Sequence, residues 1–369
     1  MLSSVRISSF HLLLVLLIKS FYNLLECLIC FGGLLLTEIL EPTEKNIFKA
    51  AEIIRQDGLV AFPTETVYGL GGCAFSERAV IKIFEAKKRP RFDPLIVHIA
   101  EKEDFNLLCT TIPPTAEKLI DAFCPGPLTL VLPKKENVPD IVTSGLDTVA
   151  VRMPSNPVAL QLIKYSRCPI AAPSANRFGH VSPTRAEDVL SDLGDSVDII
   201  LDGGPTLVGV ESTVVFVQEN KTILLRPGGI PIEDIERIVG KVTTKIKTQE
   251  LLSPGLTKKH YSPKTPLYIY EGSFDELIES DRDNYALLIP TSLLGNDDKI
   301  FPLSRDGDLK EIAANLFHQL RKLERMDFRA IIAIPVERSG LGYAIMDRLN
   351  RASTGTVKVE NHKLIFIDR

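Results

Sequence analysis

A chain of 369 residues, 45% hydrophobic and 24% charged, has material for two folded cores. Its formal net charge of −4 leaves no global basic footprint, which argues against a protein that grips nucleic acid over its whole surface. The six cysteines (27, 30, 73, 109, 124 and 168) are scattered, and none follows Cys168, which suits a reducing compartment better than a disulfide scaffold.

Residues 1–40 are expected to be an extension outside the folded domains. The apolar runs Leu12–Ile18 and Phe21–Leu36 are divided by Lys19 and Glu26, which is poor for a membrane span, and no A-x-A-like site follows to suit a signal peptide. Cys27-x-x-Cys30 has the spacing of half a zinc knuckle without a second pair. The favoured reading is upstream DNA translated from a misplaced start. Gly32-Gly33 can be encoded by a ribosome-binding sequence and Leu36 by a TTG initiator; a membrane anchor is the alternative.

From Pro42 the pattern is regular. Thr43 caps a helix with Ile47, Ala50, Ala51 and Ile54 at helical spacing, ending at Asp57-Gly58. Leu59 to Phe62 reads as a buried strand. The chain then breaks at Pro63 into a polar turn (Thr64, Glu65, Thr66, Tyr68) and a glycine-rich bend at Gly69, Gly71 and Gly72. Ser76 caps the next helix, whose apolar face is Val80, Ile83 and Phe84. It ends in Lys87, Lys88, Arg89, Pro90 and Arg91, four cations in five positions. Pro94 leads into a second apolar strand, Leu95–Ile99, interrupted by His98.

A helix follows Pro113-Pro114 through Ala122, and Pro125-Gly126-Pro127 turns into the strand Leu128–Leu132. Gly145–Pro154 holds another strand ending on Arg152. Asn156-Pro157 starts a helix to about Tyr165, and Pro169 leads into Ile170–Ala172 and the loop Pro173-Ser174-Ala175-Asn176. Ser182-Pro183-Thr184 is expected to cap the next helix, and Val197–Leu201 is a strand. Short strands alternating with helices argue an α/β sheet, and the closely spaced runs Ser212–Gln218 and Thr222–Arg226 add an antiparallel component, so the sheet is mixed. Lys241–Pro266 is a semi-stiff linker. A second, smaller series follows: strands at Leu267–Tyr270, Tyr285–Pro290, Ala330–Pro335 and Leu364–Ile367, with helices near Phe274–Ile278, Leu309–Leu323 and Leu341–Ala352.

Neither G-x-x-x-x-G-K-[ST] nor a strand-to-helix G-x-G-x-x-G is present, nor a nucleophile elbow. What remains is a set of cations at strand ends (Lys87, Arg89, Arg152, Arg226) accompanied by loop hydroxyls (Thr66, Thr148, Ser174, Ser182, Ser212). Ligands of open α/β sheets sit beyond the strand ends, and guanidinium forks match phosphate and carboxylate bidentately. Each residue alone has an ordinary reading. The basic run complements a helix C-terminus, Pro-Ser-Ala-Asn is turn composition, and a histidine in an apolar strand is commonly a core residue.

The combination of PTETVYGLG, KKRPRFDPLIVH, PGPLTLVL, GLDTVAVRMP, PIAAPSAN, SPT, GVEST, LLRPG, SPGLTKKHYSP and GLGYAIMDRLNRAS resembles the long, two-domain form of the YrdC-like threonylcarbamoyl-AMP synthases, over about residues 42–369. The resemblance implies a YrdC-like twisted, mixed, open sheet with helices over residues 41–246. It further implies a linker or lid at 247–265 and a smaller Rossmann-like α/β domain at 266–369. It implies synthesis of L-threonylcarbamoyl-AMP and pyrophosphate from L-threonine, bicarbonate and ATP with Mg2+, in the cytoplasm. The product would pass to a tRNA threonylcarbamoyl transferase that modifies the adenosine beside the anticodon.

Carried over by motif, the threonine pocket is Thr66, His98, Arg152, the backbone at Ala172, and Ser212. The ATP site is Arg89, Asp93, Thr148, Ser174, Ser182, Arg226 and, from the linker, Tyr261. Lys87 and Arg89 neutralise the reacting phosphates. Two positions depart from the pattern: Asp93 puts an acid near phosphates where asparagine is expected, and Arg177–His180 is a bulkier loop than usual. The alternatives are a double-stranded RNA-binding module with at most weak RNA or tRNA contact, disfavoured by the net acidity, and a hydrogenase-maturation carbamoyltransferase. The second would need paired zinc-knuckle cysteines and an acylphosphatase-like segment, and this chain has neither.

Overall fold

In the computed structural model, residues 37–219, 221–244, 261–292 and 297–369 are described. The apolar segment before Thr37, with Cys27 and Cys30, and most of the linker, with His260, lie outside them. Among the described residues no helix is long and apolar enough to cross a membrane.

Local signals place most helices correctly. Thr43 accepts a hydrogen bond from Asn46 N at 3.3 Å and starts Glu44–Arg55; Ser76 accepts from Ala79 N at 3.2 Å and starts Glu77–Lys87. The cap expected at Ser182–Thr184 is not formed. That helix runs Ala186–Leu193 after Arg185, whose side chain makes no cap bond. The Ser182 hydroxyl is instead given to Glu211, and Thr184 N to Asp188 at 3.4 Å.

The first sheet has ten strands: β1 (Glu38–Leu40), β2 (Val60–Pro63), β3 (Tyr68–Cys73), β4 (Ile96–His98), β5 (Leu128–Pro133), β6 (Thr148–Arg152), β7 (Ile170–Ala171), β8 (Ile199–Leu201), β9 (Thr213–Gln218) and β10 (Lys221–Arg226). Their order is β1-β8-β2-β3-β7-β4-β6-β5-β9-β10, a mixed sheet as expected. Residues 38–40, assigned by sequence to the extension, are an edge strand parallel to β8.

The expected glycine-rich bend is also corrected, since Tyr68–Cys73 is a full strand antiparallel to β2. Its glycines serve close packing. A Cβ on Gly71 would stand 2.6 Å from Ile170 Cγ2 and 2.7 Å from Phe62 Cε1, so the ring of Phe62 lies where a side chain would project. Alternate residues of β2 and β8 go to opposite faces. Ala61 and Ile200 join a core with the helices Glu77–Lys87, Pro114–Phe123 and Ala186–Leu193, whereas Val60, Phe62, Ile199 and Leu201 pack on Glu44–Arg55 and Pro157–Ser166.

The second sheet comprises β11 (Leu267–Tyr270), β12 (Tyr285–Ile289), β13 (Ile300–Pro302), β14 (Ala330–Ala333), β15 (Gly355–Glu360) and β16 (Lys363–Asp368), in the order β13-β12-β14-β11-β15-β16. All neighbours are parallel except β15 and β16, which form a terminal hairpin. The helices Leu309–Leu323 and Gly342–Ala352 pack with β11, β12 and β14 in a core that also takes in Val67, Val181 and Val210 of the first domain. The two domains therefore share an apolar seam, and Tyr261 is buried in it.

Candidate active site

The strand ends of the first sheet converge on one cavity. Register pairs His98 with Arg152 across β4 and β6 and with Ile170 across β4 and β7, while an isolated bridge joins Gly69 to Ser174. The walls include Thr64, Gly69, Arg89, His98, Arg152, Ala172, Ser174, Glu211, Ser212, Arg226 and Tyr261. Of the residues expected from sequence, Arg89, His98, Arg152, Ala172, Ser174, Ser212, Arg226 and Tyr261 are thus brought together.

Arg152 is 4% exposed, and its Nη2 stands 2.8 Å from Glu65 Oε1. The pair is at ion-pair distance but out of hydrogen-bond alignment, so Arg152 Nε and Nη2 are both buried without a hydrogen-bond partner. Glu65 is held on its other oxygen by Ser155 N at 3.1 Å. A buried guanidinium with Nε left open beside its Glu65 ion pair is chemically suited to a carboxylate. Beside it His98 presents an unpartnered Nδ1, and burial, reinforced by the Arg152 charge, pushes its imidazole down to about 3. His98 is therefore neutral at physiological pH.

At the other end, Arg226 donates through Nε and Nη2 to Ser212 O (3.2 and 3.0 Å) and through Nη2 to Ser212 Oγ (3.2 Å). Thr129 Oγ1 is 2.7 Å from the same hydroxyl. Arg89 is folded onto its own loop, with Nε donating to Asp93 O, Nη2 to Pro94 O, and an ion pair of 2.8 Å to Asp93. The acid at position 93 is thereby neutralised by its i−4 neighbour and does not line the cavity, which removes the concern about an anion near phosphates. Phe178 of the bulky 177–180 loop packs over Arg89, its ring centroid 5.9 Å from the guanidinium carbon.

Five expected site residues are not on the cavity wall. Lys87, 1% exposed, donates Nζ to the carbonyls of Ser174 and Asn176. Burial, then the Arg89 charge, holds its pKa well below the usual lysine range. It props the Pro-Ser-Ala-Asn loop, because a buried ammonium needs acceptors and these carbonyls supply them. Thr66 gives its hydroxyl to the Thr64 hydroxyl contact at 2.8 Å, and Ser182 donates to Glu211 Oε1 at 2.5 Å. Asp93 is paired as above. Thr148 begins β6, four residues and about 13 Å along the strand from Arg152.

Sequence reasoning missed Glu211, which sits in the wall within GVEST. Burial would raise its pKa, but the charges of Arg348 and Arg226 and the Ser182 bond outweigh it and hold the carboxyl at about 2. An acid inside a run of hydroxyl and glycine residues near arginines was a signal that a further cation must face it.

A mixed α/β sheet whose strand ends carry a buried carboxylate receptor beside an arginine- and hydroxyl-lined cavity defines an enzyme that aligns and neutralises anionic reactants. The comparisons with known proteins agree. The family described as "Telomere recombination" (Sua5_yciO_yrdC) matches residues 52–228, and "Threonylcarbamoyl-AMP synthase, C-terminal domain" matches residues 230–354. The threonylcarbamoyl-AMP synthase of Pyrococcus abyssi is 46% identical over 326 residues, covering 84% of this chain and 94% of the relative. That of Bacillus subtilis is 42% identical over 334 residues, covering 87% and 96%. The crystal structure of P. abyssi Sua5 complexed with L-threonine matches with a TM-score of 0.80 at 44% identity, over 88% of this chain and 99% of that one. The chain belongs to the two-domain threonylcarbamoyl-AMP synthase family of enzymes.

Proposed function

We propose that the cavity makes L-threonylcarbamoyl-AMP and pyrophosphate from L-threonine, bicarbonate and ATP. The observation that carries this reading is Arg152, a buried guanidinium whose Nε has no hydrogen-bond partner, on the wall of the cavity that Arg226 and Ser212 also line. In this reading Arg152 takes the threonine carboxylate, and neutral His98 lines the pocket without adding a charge that would repel the amine. The amine adds to carbon dioxide with loss of a proton, or to bicarbonate with loss of water, and the resulting carbamate oxygen attacks the α-phosphorus of ATP. The bond from that phosphorus to the bridging oxygen breaks, and pyrophosphate leaves.

Arg226 and Arg89, both on the cavity wall, would neutralise the transferring and leaving phosphates. Ser174 and Tyr261 would complete the nucleotide's surroundings, and Lys87 holds the loop that carries Ser174. Magnesium fits as part of the substrate MgATP. The carboxylates around the cavity, Glu65, Asp93 and Glu211, are each already paired with an arginine, and among the described residues no group of three acidic, histidine or cysteine side chains comes together. The product would serve a transferase that modifies tRNA.

The test is pyrophosphate release with each substrate omitted in turn. Release should require threonine and bicarbonate together with MgATP. ATP turnover indifferent to threonine would overturn the reading.

A further inference from the structure

The second domain places one guanidinium where three parts of the cavity wall meet. Arg348, on the helix Gly342–Ala352, is 0% exposed. Its Nε donates to Glu211 Oε2 at 2.7 Å, and its Nη1 donates to Pro227 O at 2.7 Å and to Asp347 Oδ2 at 2.9 Å. Its guanidinium carbon lies 5.4 Å from the ring centroid of Tyr261, which also stacks on Phe317 at 5.6 Å, nearly parallel at 25°. Tyr261 itself sits in the left-handed backbone region, φ 63°, a conformation that persists only where surrounding contacts enforce it.

Each contact has a consequence in the cavity. Glu211 would repel phosphate oxygens if left unpaired, because it is buried in the same wall as Arg226 and Ser212. Pro227 is the residue after Arg226, so holding its carbonyl fixes the base of that side chain. Tyr261 closes the same wall from the linker side. Arg348 does not line the cavity, so it acts through these neighbours. A second buried interdomain arginine, Arg321, acts away from the cavity wall: it pairs with Asp192 at 3.0 Å and donates to Val181 O.

We propose that Arg348 is a positioning residue of the synthase, supplied by the second domain to neutralise Glu211 and seat Pro227 and Tyr261 so that the cavity accepts the nucleotide's phosphates. This rests on the reading that ATP occupies the Arg226 end. The second domain then completes the electrostatics of the first, rather than acting only as an anchor for the linker. The dependence is asymmetric. Removing Arg348 alone strands a buried acid beside the phosphates, whereas removing both charges leaves no such acid there.

The experiment is a double-mutant cycle in the full chain, read by threonine-dependent pyrophosphate release with separate KM values for ATP and threonine. Threonine-dependent release by the unmodified chain comes first, and its absence would overturn the ATP reading itself. Given that activity, Arg348→Met should raise the ATP KM about tenfold or more while the threonine KM changes little, as expected of an unpaired buried charge. Glu211→Gln combined with Arg348→Met should be no worse than Arg348→Met and should recover part of the ATP KM. Arg348→Lys, which keeps the charge but replaces the planar fork that serves Glu211 and Pro227 from two different nitrogens with a single ammonium, should fall between. Where Arg348→Met does not fold, Arg348→Lys decides: an ATP KM equal to that of the unmodified chain overturns the proposal, and a raised one with thermal melting retained upholds it. Effects of Arg348→Met and Glu211→Gln that simply multiply, or equal rises in both KM values, also overturn it.

Discussion

His98 shows how a single buried side chain couples the site to pH. Its imidazole is held neutral by burial and the neighbouring Arg152 charge, with a folded-state pKa of about 3 against 6.5 when exposed. Between those values the unfolded chain binds a proton that the folded chain refuses, so stability falls as pH drops from 6.5 toward 3. The slope contributed by this one group approaches about 1.4 kcal/mol per pH unit. Glu211, held at about 2, is lost in the same direction but only below its usual 4.5. His318, also lowered by burial, adds to the loss between pH 6.5 and 5, so the His98 share is the difference between parent and variant. Urea unfolding at pH 7 and pH 5 should show a larger loss in the parent chain than in His98→Gln. Equal losses in both would mean that His98 is not the buried neutral group described.

Among elements, the loop after β10 bears most directly on the site, because it packs backbone to backbone on the loop that carries Glu211 and Ser212. A Cβ on Gly228 would meet Ser212 C at 2.3 Å, Glu211 O at 2.4 Å and Thr213 N at 2.4 Å. Gly229 N donates to Glu211 O at 3.0 Å, and Thr213 Oγ1 and Ile230 exchange bonds of 2.7 and 2.9 Å. None of the obstructing atoms is a flexible side-chain end, so the loops must part. Gly228→Ala should therefore cost about 1–3 kcal/mol in stability, the usual range for overpacking, and should impair ATP use more than threonine binding. Thermal melting and the two KM values check this. A variant with unchanged melting and ATP KM would show that the loops are not in register as described.

Across the whole molecule, the two domains are joined by the apolar seam around Val67, Val181, Val210 and Tyr261 and by two buried arginines, Arg321 and Arg348. The first sheet has its own cores on both faces, which owe nothing to the second domain. A chain ending after Ile246 should thus retain the first domain's circular dichroism, at a lower melting temperature because the seam is exposed and Asp192 and Glu211 lose Arg321 and Arg348. Its pyrophosphate release should be sharply reduced, since Tyr261 and Arg348 are gone. Full activity in the shortened chain would reduce the second domain to a passenger.

Much was legible from local chemistry. Thr43 and Ser76 declared their helix starts because a cap bond is made within one turn, and the strands around Phe62, His98 and Arg152 showed as apolar runs because both faces of the sheet are covered. The motif-bearing residues His98, Arg152, Ser212 and Arg226 could be gathered into one site by resemblance. What the sequence could not decide was which polar groups face each other over long separations. The glycines of Tyr68–Cys73 look like a bend until Phe62 is seen to occupy the space above them. Lys87 reads as one cation of a basic run, and only the fold brings the Ser174 and Asn176 carbonyls onto its Nζ. Arg348 sits in a helix that reads as ordinary amphipathic pattern, and only its pairing with Glu211, 137 residues away, makes it part of the cavity. Caps and strands are settled within a few residues, whereas a buried charge is settled by whichever counter-charge the tertiary fold brings to it.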